Sequence, residues 1–217
     1  MTTTDKRVYS SDLRDAQARA TRRQVVAAAG ALFAERGFGA TTVEDVARAA
    51  GVSRKTVFTS VGGKVDLLKL AFDWAVAGDD EPVAVMAREP IRAAMTEPDP
   101  RRVVEMHADL LMGSMPRVAG IYVALLGAAA VDPEARALFE EVQAQRLRGM
   151  RAMAGRLQQL GALRPGLSRS AAADILWLHN DPLVYQRLVH DRGWSVRRWR
   201  DWLARSVKVQ LLRGEEP

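Results

Sequence analysis

The sequence predicts an all-α protein, and three observations predict it. Ala, Leu and Arg are abundant among its 217 residues, and all three favour helix. No segment alternates apolar and polar residues with the period of two that a half-buried strand requires. Apolar residues instead recur three and four apart, between sequence signals for helix ends. Gly37, Gly51, Gly62 and Gly161 stand where helices stop, and three Asp-Pro pairs stand where helices start. About nine helices are expected, as a small N-terminal three-helix unit and a larger C-terminal helical bundle.

Taken in order, the first helix runs from about Ala18 to Arg36, with Val25, Val26, Ala29, Leu32 and Phe33 on one face. In GATTVEDVARAAGVS, Thr41 or Thr42 caps a second helix, and Glu44 or Asp45 closes a capping box. Val43, Val46, Ala47 and Ala50 form its inner face, and Gly51 ends it. Ser53 caps a third helix over 54–61, which Gly62 ends. A fourth, over 63–76, carries Leu67, Leu68, Ala71, Phe72 and Ala75. Residues 79–100 hold four prolines and broken periodicity, the mark of a hinge or of short helices. Asp99-Pro100, Asp132-Pro133 and Asp181-Pro182 each open a helix, the second ending at Leu160. Ser195 caps a last one reaching Leu212. The expected domains are a flexible arm (1–17), a small helical unit (18–64) and a larger C-terminal helical unit (65–217).

Composition narrows the function. The chain has no cysteine, so disulfides, thiolate metal sites and cysteine nucleophiles are excluded. His107, His179 and His190 stand far apart, outside any zinc-binding spacing. No Gly-rich phosphate loop, GxSxG or HExxH occurs, so no enzyme, metal or cofactor is expected. No apolar run reaches the roughly 18 residues of a membrane span, the longest being IYVALLGAAAV at 121–131, and no signal peptide precedes it. A cytoplasmic location is the expectation. Of the net charge of +6, residues 1–64 carry eleven Lys and Arg against six Asp and Glu. The excess lies where a polyanion would be met.

Two short helices joined by a Gly-containing turn and backed by a longer helix make a helix-turn-helix. Gly51 allows the left-handed turn, and Val52, Val57 and Val61 face inward. Arg54, Lys55, Thr56 and Thr59 stay outside. Ser53 and the amides behind it suit a phosphate, and the two cations suit guanine edges or phosphate. Lys64 sits in the first turn of a helix, against the macrodipole. That placement makes a phosphate contact the preferred reading.

The stretch VVAAAGALFAERGFGATTVEDVARAAGVSRKTVF and the following GGKVDLL resemble the tetracycline-repressor (TetR) family of transcriptional regulators, over Thr21 to about Leu70. The tail LRPGLSRSAAADILWLHNDPLVYQRLVHDRGWSVRRWRDWL resembles some members' regulatory domains. The resemblance implies a homodimer on a palindromic double-stranded DNA operator, most often a repressor, released by a small-molecule effector. The alternative is a DNA-binding dimer without a ligand, of an architectural or nucleoid type. The DNA contacts implied are Thr42, Ser53, Arg54, Lys55, Thr56, Phe58, Thr59 and Lys64. Phe58 departs from the tyrosine common there and lacks its hydroxyl.

In the C-terminal unit, Met106, Leu110, Met115, Tyr122 and Trp177 either line an apolar effector pocket or are ordinary core. Trp199, Trp202 and Leu203 are an interface stripe or monomer core, and the resemblance favours a dimer interface. Glu105 and Asp109, four apart, face a cationic ligand or solvent.

Overall fold

The structure, a computed structural model, describes residues 4–215, with side chains from Arg14 onward. It is all-α: among the described residues, the extended pairing is one isolated bridge between Leu163 and Leu212. Helices α1 (Thr4–Arg36), α2 (Val43–Ala49) and α3 (Arg54–Ser60) form the N-terminal unit, and α4 (Lys64–Ala77) follows directly. A 3-10 turn (Val85–Ala87) and α5 (Glu89–Thr96) occupy the proline-rich stretch. Then come α6 (Pro100–Ala129), α7 (Pro133–Gln159), α8 (Arg169–His179) and α9 (Pro182–Tyr185). A π-helical turn (Gln186–Asp191) leads to α10 (Val196–Leu211).

The capping signals act as expected. Asp99, Asp132 and Asp181 each accept a backbone N–H at the start of their helix, and Ser53, Ser168 and Ser195 do the same. Two boundaries differ from expectation. α1 begins at Thr4, not near Ala18, because no Gly or Pro interrupts residues 4–17. Residues 14–20 are exposed, so no apolar face announced the extension. Residues 1–3 of the expected arm lie outside the described residues.

The other difference is α6: the sequence signals a helix from Pro100 through MHADLLM (106–112) and a separate apolar run at 121–131, and the structure joins them in a single 30-residue helix that passes through Pro116. Proline removes one ladder hydrogen bond. Beside the gap, the Arg117 guanidinium donates to the Gly113 carbonyl and, at 3.1 Å, to the Ala75 carbonyl of α4. With a mean hydropathy of 1.4 over its most apolar window, α6 is long and apolar enough to cross a membrane, which the search for unbroken apolar runs missed. It lies against α1, α4, α7 and α10, the place of a core helix.

Two apolar clusters hold the fold. The first joins α1, α2, Val57 of α3 and α4 to the second half of α6 and the first half of α7. The second joins the first half of α6 and the second half of α7 to α8 and α10. The expected boundary at 64/65 therefore marks the start of α4 but no break in the core. α1 and α6 cross closely: a Cβ at Gly120 would stand 2.9 Å from the Ala34 Cβ and 3.2 Å from its Cα.

Glu105 is half-buried and Asp109 exposed, and both carry ion-pair partners from α10. Arg200 of α10 pairs with both, and Lys208 pairs with Glu105, clamping α10 to α6. Nearby on α6, burial pushes His107 down to about 4. Unfolded, an imidazole titrates near 6.5. Between those values the unfolded chain binds more protons, so stability falls as pH drops from about 6.5 to 4, by about 1–3 kcal/mol. Melting curves across that range should show the loss, and His107→Gln should flatten it.

Candidate nucleic-acid interface

Three helices position the candidate surface. Thr42 caps α2 in a complete box: its Oγ1 accepts the Asp45 N–H at 3.1 Å, and Asp45 accepts the Thr42 N–H at 3.1 Å. The Thr42 hydroxyl, donating to the Asp45 carboxylate at 2.7 Å, and then the Thr42 N–H hold that carboxyl below the usual carboxylate range. Thr41, the other candidate cap, is fully buried, and its hydroxyl donates to the Gly37 carbonyl at 2.8 Å, closing the end of α1. Gly51, at φ 68°, makes the turn into α3. Val57 is fully buried while Val52 and Val61 are partly so, which fixes the outer face of α3.

On that face Ser53, Arg54, Lys55, Phe58 and Thr59 are exposed, and Thr56 is half-buried. Ser53 accepts the Thr56 N–H at 3.0 Å and shares a hydrogen bond with its hydroxyl at 2.8 Å. The Thr59 hydroxyl turns back to the Lys55 and Thr56 carbonyls, both at 3.1 Å. The threonines are thus committed to their own helix, and the cations are the groups left to reach outward. Arg54 holds Glu44 of α2 at 2.9 Å and lies 5.4 Å from the centre of the Phe58 ring. Both ion-pair partners are exposed, so the pair contributes at most about 1 kcal/mol and opens readily. Phe58 is 44 % exposed, an apolar surface of the kind that meets thymine methyls.

Lys64 has a structural partner that its sequence position concealed. Its ammonium lies 4.0 Å from the centre of the Phe38 ring, a cation–π contact that offsets the opposing helix dipole. Partial burial lowers its pKa, with Asp132 acting the other way. Asp66, three residues into the helix, accepts the Gly63 N–H at 2.8 Å and supplies the acid that the first turn favours. That arrangement requires glycine at 62, where φ is 123° and a Cβ would come 2.3 Å from the Asp66 carboxylate. Gly62→Ala should cost about 1–3 kcal/mol, measured by urea unfolding.

Residues 25–71, spanning this whole assembly, match the family model of the bacterial regulatory proteins of the tetR family. The matched segment corresponds to the N-terminal domain of that family. No curated protein matches the sequence. Among solved structures, a transcriptional regulator from Saccharomonospora viridis in complex with choline is 20% identical, with a TM-score of 0.70 over 90% of this chain and 99% of that one. NalD of Pseudomonas aeruginosa, the secondary repressor of the MexAB-OprM multidrug efflux pump, is 20% identical, with a TM-score of 0.65 over 91% and 100%. FadR of Bacillus subtilis in complex with stearoyl-CoA is 18% identical, with a TM-score of 0.66 over 89% and 99%. At these identities the likenesses show a shared fold.

The C-terminal candidates fall in different places. Met115 is buried in the second cluster and Tyr122 in the first, while Met106, Leu110 and Trp177 are half-buried. Two open clefts, of about 500 and 450 Å³, lie along α10, and none of these five residues lines either. Tyr122 and Trp177 do share a site, since both rings flank the Arg146 guanidinium, at 5.5 and 5.1 Å. Arg146 was not singled out in the sequence because one arginine on α7 looks like its exposed neighbours. Of the expected interface stripe, Trp199 and Leu203 take the other reading and are core within one subunit. Trp199 and Leu203 are 0% and 1% exposed within one subunit, Trp199 packing edge-on to Tyr185 at 4.9 Å. Side chains with no free surface have none for a second subunit. Trp202 is half-buried, edge-on to His179 at 5.4 Å.

Proposed function

We propose that this chain is a cytoplasmic, homodimeric repressor that binds a palindromic DNA operator through α3 and leaves it when a small molecule enters the C-terminal bundle. One observation carries the reading: the cluster that buries Val57 of the reading helix also buries Phe72, Tyr122, Leu138 and Val142. A change in the bundle therefore bears on the orientation of α3, and a coupling of about 1–3 kcal/mol is enough to switch binding. The similarity to a repressor and to proteins holding choline and stearoyl-CoA supports the same reading.

Arg54 and Lys55 read bases or phosphate, Phe58 meets the thymine methyls, and Thr42, Ser53, Thr56 and Thr59 shape the surface that carries them. Lys64 contacts phosphate while keeping Phe38 at its stem. The second subunit seats on the exposed sides of α8 and α10, where Leu178 is 59 % exposed beside His179 and Trp202. The role is one of binding, with no chemical step. Competition between a selected operator and random DNA tests it. A repressor should prefer the operator by about 10³-fold or more, and a compound library should yield ligands that raise Tm and lower operator affinity. A nucleoid-type binder would show almost no preference, and the reading would fail.

A further inference from the structure

Arg146 is a buried cation inside a complete set of acceptors. One amino group donates to the Gln143 side chain at 2.7 Å and to the Tyr122 hydroxyl at 3.3 Å. The other donates to the Trp177 carbonyl at 3.2 Å and the Asn180 carbonyl at 3.0 Å, at the end of α8 where the helix dipole is negative. The Tyr122 and Trp177 rings flank it, and the Asp181 carboxylate stands 3.6 Å away. The groups that meet Arg146 present negative charge, lone pairs or π faces.

The box is also incompletely used. The Asn180 Oδ1 is a buried acceptor with no partner, and such an orphan is costly. The ion pair with Asp181 is loose for two side chains only 10% and 15% exposed. A buried pair contributes little net stability, so stability alone does not account for it. Resting on the effector-responsive reading of the bundle, we propose that this box is the effector site, that Arg146 is its internal occupant, and that the ligand is an organic cation with a planar amidinium or guanidinium group. The ligand takes the acceptors that Arg146 holds and adds Asn180 Oδ1. The displaced side chain is long enough to turn toward the exposed flank of α7 at Gln145. An anionic ligand is disfavoured by Asp181 and the two carbonyls. The site reaches α4, which shares a core with α1, α2 and α3, by one step: the Tyr122 ring lies 6.4 Å from the Phe72 ring.

Calorimetric titration of the full chain with benzamidine, and separately with benzoate, tests the assignment. Benzamidine should bind saturably, one per subunit. Arg146→Met removes the competitor and should tighten that binding by about tenfold or more. Asp181→Asn, which keeps a capping side chain on α9, should weaken it by a similar factor. If Arg146→Met lacks a cooperative melt, Arg146→Lys, too short to fill the box, should still bind benzamidine more tightly than the wild type. Preference for benzoate, binding indifferent to these substitutions, or no binding of either compound would overturn the assignment. Operator affinity measured in the same titration separates the two claims. Benzamidine bound with operator affinity unchanged would leave the cation site standing and overturn release by an effector.

Discussion

Arg54→Ala and Lys55→Ala should each raise the operator Kd by about 5- to 150-fold, the loss expected when a base-reading cation is removed. Neither should change Tm appreciably. Both side chains are exposed, Lys55 has no ion-pair partner among the described residues, and the Arg54–Glu44 pair is a surface contact. Lys64→Ala should behave differently. Its loss should weaken all DNA sequences alike and flatten the salt dependence by about one unit. It should also lower stability by about 0.5–1 kcal/mol through the lost contact with Phe38. Fluorescence anisotropy at several salt concentrations distinguishes the two behaviours. Unchanged binding for both Arg54→Ala and Lys55→Ala would mean that α3 is not the reading helix.

Gly120→Val should destabilise the protein by about 1–3 kcal/mol, the usual cost of overpacking a close contact. The new Cβ would meet the Ala34 Cβ at 2.9 Å and the backbone behind it at 3.2 Å. Backbone cannot rotate away as a side-chain tip can, so α1 and α6 must separate. Ala34 lies near the end of α1, next to the buried Phe33 and two turns beyond Val25 and Val26, which anchor the first cluster. Separation there tilts the unit that carries α3, so operator affinity should fall although no residue facing DNA has changed. Gly127→Val is the matched control. It sits on the same helix with nothing within 4 Å, and should leave both quantities nearly unaltered. Urea unfolding and anisotropy on the two variants provide the comparison, and equal effects would argue against a coupling through the α1–α6 crossing.

The parts of this protein that were legible in its sequence are the local ones. Thr42, Ser53 and Gly51 set helix ends within a few residues of themselves, so the caps and the turn of the reading unit could be read directly. The inward faces of α1, α2 and α4 follow from periodicity in the same way. Long-range partners were not legible. Nothing near Trp199 says that Tyr185, and not a second subunit, covers it. Nothing near Glu105 announces Lys208 and Arg200 from α10, nearly a hundred residues on. Arg146 is the clearest case: its partners come from α6, α7, α8 and the turn before α9, and only their convergence makes it different from any exposed arginine. Lys64 stands out in the sequence by its conflict with the helix dipole, but the ring that relieves the conflict stands 26 positions earlier.

The account stands most directly on α3 reading a two-fold symmetric site. Selection of bound sequences from random double-stranded DNA, with the full chain, measures this. The account predicts an enriched palindrome whose half-sites lie about one helical turn, or a multiple of it, apart, and whose enrichment is lost with Arg54→Ala. A pool that stays random after selection, or a single half-site without a symmetric mate, would contradict it.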